Sequence, residues 1–452
     1  MDLGINNAWW RGKAYMQEDK HIKDLENKKF KWKPELLRTI VLEPNNLFTL
    51  RGPRQVGKTT LIKLLIRELL NKGVSERSIF YWNCDELVDF RELSSILREY
   101  ISLSDKGERY IFLDEVSRVK DWQRSIKSLI DSGELEDCCL MVTGSNTLDI
   151  KYGSERLPGR TGKKGKDFVL LPMNFSSFVK LVNPDIGKNI NKITLTIDNL
   201  NKEANKLKIF ETELKSLFDK YLITGGFPLV VNEFLTNKKI PDYLYELYFK
   251  WIVGDIVKWG KREKILVQLF KSLLEKQSSR ISWDSLAKES EIKSHKTVSA
   301  YVEDLENMFV LIVLYFVDLK KKIANPAKNK KIYIFDPFIY HVFNKKIYFK
   351  DNEVSNEILE ATIIANLARF DYGGLFPSIF YWNNKKEVDA VLRLKDKLLP
   401  FEIKYQNNIK KEDYKGLHYF DSGVLITKNL LKKGEKYTTI PAYLLLAMDI
   451  SV

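Results

Sequence analysis

The sequence predicts an α/β chain built around a parallel sheet, followed by a helical module and a smaller α/β domain. Three observations predict it. Between 36 and 178, apolar stretches of strand length alternate with stretches of helical period, the pattern of strand–helix–strand units. A glycine-bearing loop joins the first of these strands to the first helix. Farther on, three helical stretches precede two strands, and then three more strands carry closely spaced acidic residues.

The 452 residues leave room for two to four domains, at roughly 150 residues each. With 44% hydrophobic and 12% aromatic residues each domain can bury a core, which excludes a disordered chain. Lys and Arg outnumber Asp and Glu by 74 to 60, a formal charge of +14. Such a surplus favours a polyanionic partner, because every phosphate neutralised releases counterions; a generally lysine-rich surface is the plainer alternative. Cys84, Cys138 and Cys139 make no CxxC pair and the four histidines are scattered, so neither a disulfide framework nor zinc is expected. No apolar run reaches the roughly 18 residues of a bilayer span, and the first residues lack a signal-peptide core. A cytoplasmic protein without a membrane partner is the expectation.

Taken in order, residues 1–33 read as a polar, lysine-rich N-terminal arm. The core at 34–182 has expected strands at 47–51, 78–83, 110–113 and 139–143, with helices at 58–70, 90–103 and 121–131. Residues 183–261 begin as an Asn/Lys-rich insertion and continue as a helical lid, interrupted by Thr224-Gly225-Gly226-Phe227-Pro228. Residues 262–335 read as helix, short strand at Ile281, helix, a third helix capped by Ser294, strand 309–317, a loop at 320–331 and strand 332–335. That is the order of a winged helix-turn-helix. Residues 336–452 give a helix at 358–370, strands at 379–382, 387–392 and 399–405, and a final helix and strand.

The loop Gly52-Pro53-Arg54-Gln55-Val56-Gly57-Lys58-Thr59, followed by Thr60, matches the pattern GxxxxGK[ST] of a P-loop. Glycine lets successive N–H groups turn toward phosphates, and the helix start adds its positive end. Lys58 would neutralise β/γ-phosphate charge and the Thr59 hydroxyl would ligate Mg²⁺. The cofactors implied are ATP and Mg²⁺. The buried strand at 110–113 delivers Asp114 and Glu115 to the same sheet edge. Asp114 would hold Mg²⁺, and Glu115 would orient and deprotonate the attacking water. Ser145 and Asn146, after Gly144 at the end of another buried strand, suit contact with the γ-phosphate or that water. Of Arg156 and Arg160, Arg160 is the candidate for a guanidinium supplied to a neighbouring subunit's γ-phosphate, hence an expected homo-oligomer.

These motifs, with the segment Leu170–Phe178 and the Gly225-Gly226-Phe227-Pro228 step, occur in this order in a family of prokaryotic and archaeal AAA+-like P-loop ATPases with a C-terminal DUF4143 domain, which the chain resembles over nearly its whole length. The resemblance implies an ATPase core with a helical lid and further domains behind it. The stretch 183–205 departs from the family.

The third helix of the winged pattern opens with His295, Lys296, Thr297 and Ser299, the polar and basic start that a recognition helix presents to a major groove. Lys320, Lys321, Lys322, Lys328, Lys330 and Lys331 crowd the next loop, where a wing would meet backbone phosphates. Nucleic acid, DNA over RNA, is the expected partner; a protein-docking lid with solvated lysines is the alternative.

Residues two apart on a strand share a face, so Glu387 pairs with Asp389 and Glu402 with Lys404. A hairpin near 395–397 would set Asp389 beside Glu402, a pair able to hold Mg²⁺ or Mn²⁺. Glu360 on the preceding helix would complete the set, and Lys404 would activate a water for phosphodiester attack. The pattern resembles the PD-(D/E)xK, restriction-endonuclease-like fold, and a charged strand edge is its plainer reading. The chain is therefore expected to couple ATP binding and hydrolysis to nucleic-acid binding, with or without metal-dependent cleavage. The alternative is an ATP-operated switch whose C-terminal domain only docks.

Overall fold

The computed structural model describes residues 2–144, 150, 166–350, 352–369, 378–395 and 397–451. The chain divides into two compact units, Met1–Leu171 and Pro172–Val452. In the first unit, β1 (Asn46–Arg51), β2 (Ile79–Asn83), β3 (Arg109–Asp114), β4 (Cys138–Thr143) and β5 (Asp167–Val169) form one sheet. Its order is β2-β3-β4-β1-β5 and every pairing is parallel. The helices are α1 (Lys20–Glu26), α2 (Lys58–Asn71), α3 (Phe90–Leu103) and α4 (Trp122–Asp131).

Parallel strands covered on both faces must be apolar on both, and these are. Phe80, Trp82, Ile111 and Leu113 pack with Leu93, Leu97 and Ile126 of α3 and α4. Their neighbours along the same strands, Ile79, Tyr81, Tyr110 and Phe112, pack with Leu61, Leu65 and Ile66 of α2. The alternation sends successive residues of β2 and β3 to opposite cores.

The 1–33 segment, read as a polar arm, carries Trp9, Met16, Ile22 and Leu25 into the α2-side core. It also covers β2, which is a sheet edge. Asn7 accepts from Tyr81 N (2.7 Å) and donates to Tyr81 O (3.0 Å), imitating a neighbouring strand. The Trp9 and Trp10 indoles both donate to Ile79 O, at 3.1 and 2.9 Å. An open edge strand invites pairing with other chains, and here side chains close it.

The second unit contains α5 (Phe175–Val182), β6 (Lys192–Thr194), α6 (Ile197–Leu207), α7 (Glu211–Thr224), α8 (Pro228–Asn237) and α9 (Asp242–Lys258). Next come α10 (Glu263–Lys276), α11 (Trp283–Glu289), α12 (His295–Asn307), β7 (Leu311–Asp318), β8 (Ile323–Ile334) and α13 (Pro337–Tyr348). After them follow α14 (Asn356–Ala368), β9 (Ile379–Asn383), β10 (Glu387–Leu394), β11 (Lys397–Lys404), β12 (Gly423–Thr427), β13 (Tyr437–Pro441), α15 (Ala442–Ala447) and β14 (Asp449–Ser451).

Residues 183–212 are not an exposed insertion. Leu200, Ala204 and Leu207 of α6 are buried, and β6 pairs in parallel with β14. Not all the polar residues there face outward: Asn201 and Glu203 of α6 are buried, and Glu203 accepts from Asn191 N at 3.0 Å.

Seven strands form one sheet in the order β13-β12-β11-β10-β9-β7-β8. The β7–β8 hairpin that follows α12 is thus its edge, through the parallel β7–β9 pairing. The second hairpin strand begins at Ile323, not 332, because Phe316, Val317 and Asp318 pair with Asn325, Ala324 and Ile323 before a register shift. Lys330 and Lys331 are strand residues rather than loop residues, with only 5% and 1% of their surface exposed.

The GGFP step is a close-packing point. Gly225 has φ +58, and a Cβ there would lie 1.9 Å from Asp336 Oδ1. Asp336 accepts from Gly226 N and Phe338 N, each at 2.9 Å, which caps α13 and fixes it to the α7–α8 turn. Buried Asp336 is pushed up to about 6, first by its removal from water.

Candidate functional site

The phosphate loop leaves β1 and enters α2. Gly52 passes Leu170 so closely that a Cβ would meet its carbonyl oxygen at 2.2 Å, and Gly57, at φ +102, sets the start of α2. Glycine is the residue type that fits both positions. The Lys58 ammonium is buried and donates to the carbonyls of Gly52 (3.0 Å) and Pro53 (3.1 Å). The charge is therefore held over the loop.

At the end of β3, Asp114 is 2% exposed and accepts three hydroxyls. Thr59 Oγ1 donates to Oδ2 at 2.6 Å, Thr143 Oγ1 to Oδ1 at 2.6 Å and Tyr81 OH to Oδ2 at 3.1 Å. The loop threonine and the strand-end carboxylate, assigned together from the sequence, thus meet directly. A hydroxyl beside a carboxylate is the oxygen pair that suits Mg²⁺ on a nucleotide. Glu115 takes the left-handed conformation at φ 54, turning the chain sharply at the strand end. Arg54, Gln55, Val56 and Thr60 lie in the loop and first helical turn as the pattern requires. Ser145, Asn146 and Arg160 lie outside the described residues.

Sequence reasoning missed Thr143 and Tyr81. Thr143 had a usable signal, a hydroxyl residue ending a fully buried strand; Tyr81 had none, since it sits in an apolar run. Behind Tyr81 stands Lys63 of α2, buried, its ammonium 3.3 Å from the Tyr81 ring centroid and 3.1 Å from Asp19 Oδ2 at the start of α1. Burial lowers the Lys63 pKa, opposed by Asp19. Burial, then the Asp114 charge, drive the Tyr81 hydroxyl far up, so it remains a donor to Asp114.

Residues 44–179 match the model of an AAA domain. The phosphate loop, Asp114 and Glu115 all fall within that match, so the first unit carries an AAA-type ATPase domain. Residues 215–350 and 355–445 match two domains of unknown function, DUF8612 and DUF4143. The chain is 25% identical over 379 residues to the uncharacterized protein MJ1544 of Methanocaldococcus jannaschii, covering 82% of this chain and 77% of that protein. It is 30% identical over 118 residues to an uncharacterized ATP-binding protein of the same organism, covering 26% of this chain and 27% of that one. Among solved structures, the Aeropyrum pernix ORC1 protein in complex with DNA aligns at TM-score 0.33 and 12% identity, covering 76% of this chain and 97% of that chain. AMPPCP-bound DnaA from Aquifex aeolicus aligns at TM-score 0.29 and 16% identity, over 66% and 88% of the two chains. No helix among the described residues is long and apolar enough to cross a membrane.

In the second unit, α10, α11 and α12 precede the β7–β8 hairpin, and Ile281 bridges Lys330. His295 and Lys296 are exposed at the start of α12 and Thr297 is half-buried. His295 Nδ1 lies 3.1 Å from Asp284 Oδ1. The Ser299 hydroxyl turns back to Lys296 O at 3.1 Å, and Ser294 makes no side-chain cap bond. Lys320, Lys321 and Lys328 are exposed. Lys330 is not among them; its ammonium lies over the Trp283 ring, 4.8 Å from the centroid.

The C-terminal carboxylates do converge. Antiparallel β10 and β11 pair Ala390 with Phe401, which carries Asp389 next to Glu402, and Asp389 Oδ2 accepts from Ile403 N at 2.9 Å. Lys404 Nζ donates to Glu402 Oε1 at 2.5 Å. The space between them is not left to a metal ion. Lys331 Nζ lies 2.5 Å from Glu387 Oε1, 2.9 Å from Asp389 Oδ1 and 3.7 Å from Glu360 Oε1. Among the described residues no group of three or more His, Cys, Asp or Glu is arranged to hold a metal. The expected metal set of Glu360, Asp389 and Glu402 does not fit one: Lys331 already faces Glu360 and Asp389, and Lys404 takes Glu402. Burial and the Asp389 charge push Glu360 up to about 7 and Glu402 up to about 8. Burial works against the Lys331 charge, but Asp389, Glu360 and Glu387 outweigh it and its pKa rises.

Proposed function

We propose that this chain is a Mg²⁺-dependent ATPase that couples ATP binding and hydrolysis to nucleic-acid binding, DNA over RNA, as a homo-oligomer. The observation that carries the ATPase reading is the direct meeting of Thr59 and Asp114 beside the loop that holds Lys58. Lys58 would leave its carbonyl partners for the β/γ-phosphates. Thr59 and Asp114 would hold Mg²⁺, which supplies charge stabilisation to the phosphates. Glu115 would orient the attacking water, with Ser145 and Asn146 near the γ-phosphate and Arg160 reaching a neighbouring subunit. A sequence match to an AAA domain supports this reading.

The helix order α10–α11–α12 with the following hairpin supports a winged helix, in which His295, Lys296 and Thr297 face the nucleic acid and Lys320, Lys321 and Lys328 meet phosphates. For the C-terminal strands, the ammonium of Lys331 among the carboxylates favours the second reading, an ATP-operated switch whose C-terminal part docks without cleaving.

The test measures phosphate release and DNA binding by the intact chain. Lys58→Ala is expected to abolish nucleotide binding, and Glu115→Gln to retain binding while hydrolysis falls by about 10² or more. Loss of neither, or nucleotide binding unchanged in Lys58→Ala, refutes the ATPase assignment. Replacing Lys320, Lys321 and Lys328 by Ala is expected to lower the salt slope of DNA binding by about 0.9 for each phosphate contact removed. A slope equal to that of the parent protein refutes the interface.

A further inference from the structure

In the second unit three carboxylates, Glu360 of α14 and Glu387 and Asp389 of β10, face the ammonium of Lys331, and beside them Glu402 takes Lys404 while Arg280 holds Glu387 at 3.0 Å. We propose that Lys331 is the resident cation of this cluster, standing where a divalent ion would stand, so that the wild-type chain takes up no Mg²⁺ or Mn²⁺ there. This deepens the second reading above and holds whether or not the first unit hydrolyses ATP.

The competition is for the same atoms. An ammonium presents three donors; Lys331 donates to Asp389 Oδ1 at 2.9 Å, pairs with Glu387 Oε1 at 2.5 Å and faces Glu360 Oε1 at 3.7 Å. A divalent ion would need those oxygens at about 2.0–2.6 Å from its own centre, a volume that Nζ fills. The remaining oxygens are largely committed. Asp389 Oδ2 accepts from Ile403 N, Glu360 Oε1 also accepts from Tyr333 OH at 2.8 Å, and Glu402 Oε1 takes Lys404. Among these carboxylate oxygens, Glu402 Oε2 is the one buried without a hydrogen-bond partner.

Withdrawal of the lysine is opposed by its strand. Lys331 and Tyr333 point to one face of β8 and both end on the cluster, Tyr333 through Glu360. From Lys330 to Ile334, β8 is in turn paired residue by residue with β7. The acidic set, which the sequence offers as metal ligands, therefore already has its counter-charge, brought from the hairpin that follows α12. An inert internal ammonium satisfies the carboxylates but cannot activate a water as a metal does.

The experiment titrates Mn²⁺ into the full-length chain without nucleotide and reads free ion by electron paramagnetic resonance. In the wild type, any uptake is expected to be unchanged by Asp389→Asn. Lys331→Met should open the cluster, giving one bound Mn²⁺ on the order of tenfold tighter than any wild-type uptake, lost again in the Lys331→Met/Asp389→Asn double variant. Mn²⁺ should also restore the melting temperature that Lys331→Met loses. Wild-type uptake that disappears in Asp389→Asn overturns the proposal, as does a folded Lys331→Met chain that binds no Mn²⁺. Should Lys331→Met fail to fold, the wild-type and Asp389→Asn titrations decide it. Because nucleotide is absent and Asp389 assigns the signal, failure here is distinct from failure of the ATPase reading.

Discussion

Asp114 is held by three hydroxyls from three different elements, Thr59 of α2, Tyr81 of β2 and Thr143 of β4. Were a magnesium ion to engage Thr59, Tyr81 and Thr143 would still orient the carboxylate. Hydrogen bonds to a charged acceptor contribute about 1.5–3 kcal/mol, so losing one should loosen the aspartate without touching the phosphate loop. Tyr81→Phe is expected to raise the Mg²⁺ concentration for half-maximal ATP hydrolysis while leaving Mg²⁺-free nucleotide binding unchanged. A metal titration of the rate, beside nucleotide binding in chelator, checks it; an unmoved Mg²⁺ midpoint rejects it. A second residue sets an acid limit on stability. His341 is fully buried, its Nε2 2.9 Å from Leu222 O, while Nδ1 has no partner. Burial lowers its pKa from 6.5 to about 4, opposed by the bond to Leu222. The neutral ring is thus favoured in the folded state, and its full contribution is present above pH 6.5. That contribution is lost as the pH falls toward 4, up to roughly 3 kcal/mol. His341→Phe should flatten this part of the profile, seen as a smaller drop in urea midpoint between pH 7 and pH 5 than in the parent protein.

At the scale of elements, the packing of one turn decides whether α7, α8 and α13 hold together. Gly225→Ala would put a methyl group into Asp336 at a backbone angle that favours glycine. The expected loss is more than about 1 kcal/mol, and a melting temperature equal to the parent's would reject this account. Some elements announce themselves and others do not, for physical reasons. β1 to β4 are buried on both faces, so they read as unbroken apolar runs next to helices of clear period, and the phosphate loop between β1 and α2 has a pattern few other structures need. The first half of β8 carries Asn325, Pro326, Lys328 and Asn329, residues that a loop would also carry. Its pairing with β7 is fixed by a partner strand, which no local pattern reports. Lys331 looked like one more solvated lysine because Asp389, which decides its burial, is 58 residues away. The carboxylates themselves were legible from their two-residue spacing; the cation among them was not. The arm was misread for a related reason. Ile22 and Leu25, three apart on the short α1, enter the α2-side core with Met16, while Asn7, Trp9 and Trp10 bond to β2 and close its edge, contacts that no local period reports.

For the whole molecule, each compact unit has cores of its own. The first has one on each face of its parallel sheet, and the second has a large helical core from Phe227 to Phe343 with a smaller one around Phe380 and Val388. Nucleotide binding to a folded unit stabilises that unit by mass action, about 2.7 kcal/mol when ligand is at a hundred times its dissociation constant. The phosphate loop and Asp114 belong wholly to the first unit, whereas the Lys331 cluster belongs wholly to the second. Scanning calorimetry of the full chain is therefore expected to show two transitions. An ATP analogue with Mg²⁺ should raise one of them, Lys58→Ala should cancel that rise, and Lys331→Met should lower the other. If a single transition is seen and the analogue raises it, the two units unfold as one cooperative body and the two-transition account is rejected. If the analogue moves only the transition that Lys331→Met lowers, the nucleotide site is not the one built on Lys58 and Asp114.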